Sequence, residues 1–157
     1  MDSTTADTAS NETSVTLVRT FKAPPHRVFA AWTDATLIER WMAPDEYAVR
    51  TVTADARVGG RYRIAVQGPK GDTHVTTGEY LEIVPNRRIV KTWIYEGPNA
   101  PDGPMATRVS VEFDEPAPGI TRLTLTHERV ADAKIQEGLR RGWTSLFAKL
   151  ETLLGHE

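Results

Sequence analysis

The chain of 157 residues has no cysteine, which excludes a disulfide framework and thiolate chemistry and fits a reducing, cytoplasmic setting. It also lacks any run of about 18 apolar residues, so no membrane-spanning helix is expected, and its first residues lack the apolar stretch of a secretory signal. Neither sign of charge is in excess, with 19 Lys and Arg against 21 Asp and Glu. The arginines Arg61 and Arg63, Arg87 and Arg88, and Arg140 and Arg141 are scattered pairs without a basic stripe, which argues against nucleic acid as a partner. His26, His74, His127 and His156 lie far apart, without a metal-ligand spacing such as His-x3-His, so no metal is expected. Gly59-Gly60 is not followed by a helical pattern and reads as a turn, not a phosphate loop. No motif announces a catalytic nucleophile, and nothing calls for a cofactor.

What remains is the length and composition of one ordinary globular domain. Residues 1–13 (MDSTTADTASNET) offer almost nothing to bury and read as a disordered tail, leaving 14–157 as the domain. Val15 to Phe21 alternates as a first strand. Pro24 and Pro25 open a short helix with Val28, Ala31 and Trp32 on its inner face. Thr33 and Asp34 interrupt it and can cap a second, carrying Leu37, Ile38 and Trp41, which must stop before Pro44. From Tyr47 the period changes to two. Turn residues then separate strands expected at Tyr47 to Thr53, Arg61 to Gln67, His74 to Val84, Arg88 to Tyr95, Thr107 to Asp114 and Thr121 to His127. Gly97 to Pro104, with three prolines and two glycines, reads as a flexible loop suited to bordering a cavity mouth.

The chain ends in an amphipathic helix over Asp132 to Leu154, with Ile135, Leu139, Trp143, Leu146, Leu150 and Leu153 on one face. Gly138 and Gly142 sit inside it, each costing about 1 kcal/mol against alanine, so a packing or cavity reason is expected for them. Strands in succession followed by a helix argue for an α+β fold, an antiparallel sheet of about seven strands wrapped round that helix.

The stretches FKAPPHRVFAAWTDATLIERWMAP, VGGRYRI, GEYLEIVPNRRIVKTW, TRLTLTHERV and GLRRGWTSLFAKLETLL, in this order and spacing, resemble the bacterial family related to the C-terminal domain of the activator of the heat-shock protein 90 ATPase. That family belongs to the START-like, or SRPBCC, superfamily with its helix-grip fold. Trp32 to Asp34, Trp41, Gly59-Gly60, Gly78 with Tyr80, Trp93, His127 and Gly142-Trp143 carry the resemblance. It implies a deep apolar cavity between sheet and long helix, used in the superfamily for small hydrophobic molecules, and a chaperone as the alternative partner. The separate N-terminal domain of the eukaryotic activator has no counterpart before Val15, where only the polar tail stands.

The expected function is therefore binding of a small hydrophobic molecule beneath the helix, by Trp41, Tyr62, Trp93, Tyr95, His127, Leu139, Trp143 and Phe147. The aromatic members can instead be plain core. His127 shares parity with Leu123 and Leu125 and points inward, and the preferred reading is a satisfied structural histidine, the alternative a polar anchor or general base. Two other functions stay open. One is a protein-interaction module; the other is a cyclase-like enzyme, for which Lys91, Tyr80, Glu82 and His127 are the candidates that neighbouring strands can bring together.

Overall fold

The computed structural model describes residues 13–155. Strand β1 (Val15–Phe21) leads into helices α1 (Pro25–Thr33) and α2 (Ala35–Ile38). Strands β2 (Ala48–Ala54), β3 (Arg61–Gln67), β4 (Thr73–Val84), β5 (Arg88–Glu96), β6 (Met105–Ala117) and β7 (Ile120–Glu128) follow, then the long helix α3 (Ala133–Gly155). The expected tail lies outside the described residues except for Thr13, whose carbonyl accepts a hydrogen bond from the Val130 N–H at 2.8 Å. The last two residues of the expected domain lie outside them as well.

All seven strands pair antiparallel in one curved sheet, in the order β1-β7-β6-β5-β4-β3-β2. Short turns at Val84-Arg87 and Ala117-Ile120 join neighbours directly, as antiparallel pairing permits. Strand β6 outruns its expected length because its pairing with β7 continues past an irregularity between Asp114 and Ala117. Helix α2 is shorter than expected: it stops at Ile38, and Trp41 follows in turns, its backbone N–H donating to the Ile38 carbonyl at 3.2 Å.

Helix α3 is capped by Asp132, whose Oδ1 accepts from the backbone N–H groups of Lys134 (2.8 Å) and Ile135 (3.2 Å). Its two halves differ in burial. Trp143, Leu146, Phe147, Leu150, Leu153 and Leu154 are buried against the sheet and α1, whereas Ile135 and Leu139 are only half-buried. The C-terminal half thus closes the core, and the N-terminal half spans something less than solid.

The core beneath the buried half is aromatic. Trp32 stacks on Trp143 with centroids 5.7 Å apart and meets Trp41 edge-on at 4.9 Å, while Phe21 and Phe147 meet edge-on at 6.1 Å. The Trp41 Nε1–H donates to the Ala31 carbonyl at 2.8 Å, so its polar tip is satisfied within α1. Tyr62 runs across β4 and donates its hydroxyl proton to the Thr92 carbonyl at 2.5 Å. Only glycine at position 78 allows that crossing, because a Cβ there would lie 2.0 Å from the Thr92 carbonyl oxygen and 2.6 Å from the Tyr62 ring. Gly78→Ala is accordingly expected to lower stability by about 1 to 3 kcal/mol or more through overpacking; an unchanged denaturant midpoint would contradict that close approach.

Candidate functional site

The space under the N-terminal half of α3 is a cavity. One chamber of about 450 Å³ is walled by Trp93 and Tyr95 of β5, Met105 and Thr107 of β6, His127 of β7 and Ile135, Gly138 and Leu139 of α3. A second, of about 330 Å³, lies toward Met42, Tyr47, Ile64 and Val66, and reaches Gly142 and Leu146 on the helix. The two share Thr76, Trp93, Tyr95, Asn99 and Gly138, so they adjoin along one wall. A side chain grown from Gly138 or Gly142 would meet no atom within 4 Å at its Cβ. Both glycines therefore border open space. Asn99 brings the loop between β5 and β6 to the wall, and Lys134 and Arg141 bring cationic groups to one side.

Strand period explains the wall. Trp93 and Tyr95 share parity on β5, and they stand opposite Thr107 and Met105 of β6 in the register, so these four project from the same face of the sheet. The residue two before Trp93 on that face is Lys91, which the chain buries almost completely. Its Nζ sits 4.6 Å from the Tyr62 ring centroid and between 5.4 and 5.9 Å from those of Trp32, Trp93 and Tyr80. Burial pushes its pKa down to about 7. The ring faces, which favour the ammonium, oppose that displacement.

Two ordered hydrogen-bond chains end on the cavity wall. In the first, the Trp143 Nε1–H donates to His127 Nδ1 at 3.2 Å, which fixes the neutral tautomer with its proton on Nε2. His127 Nε2–H then donates to Thr107 Oγ1 at 2.7 Å, and the Thr107 hydroxyl proton goes to the Trp93 carbonyl at 2.8 Å. Burial, assisted by the Lys91 charge, holds the His127 pKa down to about 4, consistent with a neutral ring. In the second chain, the Asp72 carboxylate can only accept, so His74 Nε2–H donates to it at 2.5 Å. With its ring neutral, His74 accepts the Tyr95 hydroxyl proton at Nδ1 (2.7 Å), and the Tyr95 oxygen takes the Asn99 backbone N–H at 3.3 Å. The bond to His74 holds the Asp72 carboxyl below its ordinary range, and burial raises the Tyr95 phenol.

Of the eight residues expected to line the site, Trp93, Tyr95, His127 and Leu139 stand on the wall of the cavity. Trp41, Tyr62, Trp143 and Phe147 stand behind it, buried among other rings. The physical reason is direction: Trp143 and Phe147 leave α3 toward the rings of Trp32 and Phe21, while Gly142 and Leu146 beside them face the smaller chamber, and Trp41 and Tyr62 are held by Trp32 and by the Thr92 carbonyl. Among the candidates for catalysis, Lys91 and Tyr80 meet, as their paired register requires. Glu82 does not join them, because a bulge between Tyr80 and Glu82 turns it outward, where it pairs with Arg88 at 3.1 Å. No carboxylate pairs with Lys91 among the described residues. His74 and Asp72 were missed by sequence reasoning: Asp72 stands just before β4 and His74 is its second residue, and an Asp-x-His spacing at the start of a strand was the available signal. Among the described residues no three His, Cys, Asp or Glu side chains gather as metal ligands, and no helix is long and apolar enough to cross a membrane.

A family profile described as Activator of Hsp90 ATPase homolog 1-like protein matches residues 22–155. Among solved structures, the chain is similar to a protein of Chromobacterium violaceum (29% identity, TM-score 0.80, covering 90% of this chain and 96% of that one). It is also similar to a putative uncharacterized protein of Rhizobium leguminosarum (28% identity, TM-score 0.77, covering 92% and 95%). An HSP90 activator from Plasmodium falciparum shares the fold at 24% identity and a TM-score of 0.69, with 91% and 96% covered. No curated protein matches.

Proposed function

Because the chain belongs to the family of Activator of Hsp90 ATPase homolog 1-like proteins, whose helix-grip fold it has, we propose that it binds a small hydrophobic molecule in the cavity beneath the N-terminal half of α3. The observation that carries this reading is the pair of glycines on the inner side of that helix. Each sacrifices about 1 kcal/mol of helix propensity, and each faces space rather than a neighbour at its missing Cβ. A solid core would have no use for the sacrifice. Chamber volumes of about 450 and 330 Å³ fall in the range of small-molecule sites.

Gly142→Leu tests it. A leucine there is expected to fill the smaller chamber and to weaken binding of a hydrophobic fluorescent probe by at least about tenfold. The urea midpoint is expected to hold or rise, since the helix gains propensity and the new side chain enters a void. Equal probe binding by parent and variant would sink the reading, as would a parent that binds no probe. A second reading, docking on a chaperone of the Hsp90 type, is supported by the family's description; stimulation of such an ATPase by the parent chain would favour it, more so if Gly142→Leu left the stimulation unaltered.

A further inference from the structure

The two hydrogen-bond chains have a direction, and the direction constrains what can bind. On the first, the Thr107 proton is committed to the Trp93 carbonyl while its oxygen takes the proton of His127. On the second, the Tyr95 proton is committed to His74 and its oxygen takes the Asn99 N–H. A hydroxyl oxygen has two lone pairs, so each of these oxygens keeps one. Both side chains belong to the cavity wall. They are diagonal neighbours on one face of the β5–β6 pair, with Trp93 opposite Thr107 and Met105 opposite Tyr95, a relation that sets such positions roughly 7 to 8 Å apart.

Neither proton can easily turn toward the cavity. Turning the Thr107 proton away would give up its bond to the Trp93 carbonyl, and turning that of Tyr95 would leave the Nδ1 of a neutral His74 without a donor, each forfeiting a hydrogen bond already made. The outer members hold the order in place: the Trp143 indole can only donate, and the Asp72 carboxylate can only accept. Of the other polar residues on this wall, Thr76 and Asn99 can serve in either sense, and Lys134 and Arg141 donate.

We propose that the cavity selects hydrophobic molecules carrying a hydrogen-bond donor, a hydroxyl or an N–H, which is received by the lone pairs of Tyr95 and Thr107. This deepens the small-molecule reading and rests on it. An ester, ether or ketone of the same shape brings only acceptors and meets lone pairs there.

A matched pair of probes tests the inference: 2-naphthol and its methyl ether, 2-methoxynaphthalene, titrated into the full chain by calorimetry or by their own fluorescence. The alcohol is expected to bind about tenfold more tightly, the ratio that one net hydrogen bond supports. In Tyr95→Phe and Thr107→Val the ratio should fall, and in the double variant it should approach one. Thr107→Ser, which keeps the hydroxyl, should retain the parent ratio and guards against a Thr107→Val chain that fails to fold. Equal affinity for the two probes in the parent overturns the donor preference while leaving the cavity reading intact. A preference that survives in Tyr95→Phe and in the double variant overturns the assignment to these two residues. Binding of neither probe overturns both readings together.

Discussion

Trp143→Ala is expected to lower stability by about 3 to 5 kcal/mol, the cost of deleting a buried indole and leaving a hole. The side chain is only 2% exposed, and its ring has neighbours on several sides: Trp93 at 5.2 Å, Trp32 at 5.7 Å, Phe147 at 5.9 Å and His127 at 6.3 Å between centroids. It also carries the indole N–H that holds His127 in one tautomer. Losing that donor leaves a buried imidazole nitrogen unpaired, which accounts for about 1 to 3 kcal/mol of the loss. Trp143→Phe separates the two contributions, because it keeps most of the packing and removes the N–H. Urea unfolding of the three chains provides the measurement. A loss below about 1 kcal/mol for the alanine variant would mean that the indole is not the joint between core and cavity wall that its contacts make it.

That indole also shows where the sequence was legible and where it was not. The period of α3 placed Trp143 on the inner face, and the two glycines called for a packing or cavity reason, since a helix interior tolerates glycine only at a cost. Strand alternation put His127 inward with Leu123 and Leu125, because parity is a local property. The division of aromatic residues between wall and core was not local. Tyr62 and Phe147 have the same residue chemistry as Trp93 and Tyr95, but whether a ring closes a cavity or fills the core depends on the direction in which it leaves its element and on the neighbours it meets there. His74 and Asp72 escaped for a related reason. The bond between His74 and Tyr95 spans 21 residues and depends on the pairing of β4 with β5, which puts Thr76 opposite Tyr95. Registers of that kind follow from turns and bulges, and the bulge between Tyr80 and Glu82 that turns Glu82 outward leaves no mark in the hydrophobic pattern.

Lys91→Met is expected to raise stability at pH 7 by about 2 to 4 kcal/mol, an unusual sign for a change in a buried residue. Lys91 is 1% exposed and has no carboxylate among the described residues to offset its desolvation. Burial lowers its pKa from 10.5 to about 7, a displacement worth about 5 kcal/mol at 1.36 kcal/mol per pH unit. The faces of Tyr62, Trp32, Trp93 and Tyr80 return part of that to the charged form, which sets the expected gain below the full figure. The sign with pH follows from proton binding. Between about pH 7 and 10.5 the unfolded chain holds the Lys91 proton and the folded chain does not, so the parent grows more stable as pH rises through that window, and below pH 7 this contribution is level. The methionine variant lacks this dependence. Its advantage over the parent should therefore be largest at or below pH 7 and should shrink toward zero as pH approaches 10.5. Denaturant midpoints of both chains from pH 6 to 10 measure the difference directly. An advantage that stayed constant over that range would show that Lys91 keeps its proton in the folded chain, with the four rings outweighing its burial; a variant less stable than the parent at pH 7 would show that the ammonium is held by more than desolvation and rings allow.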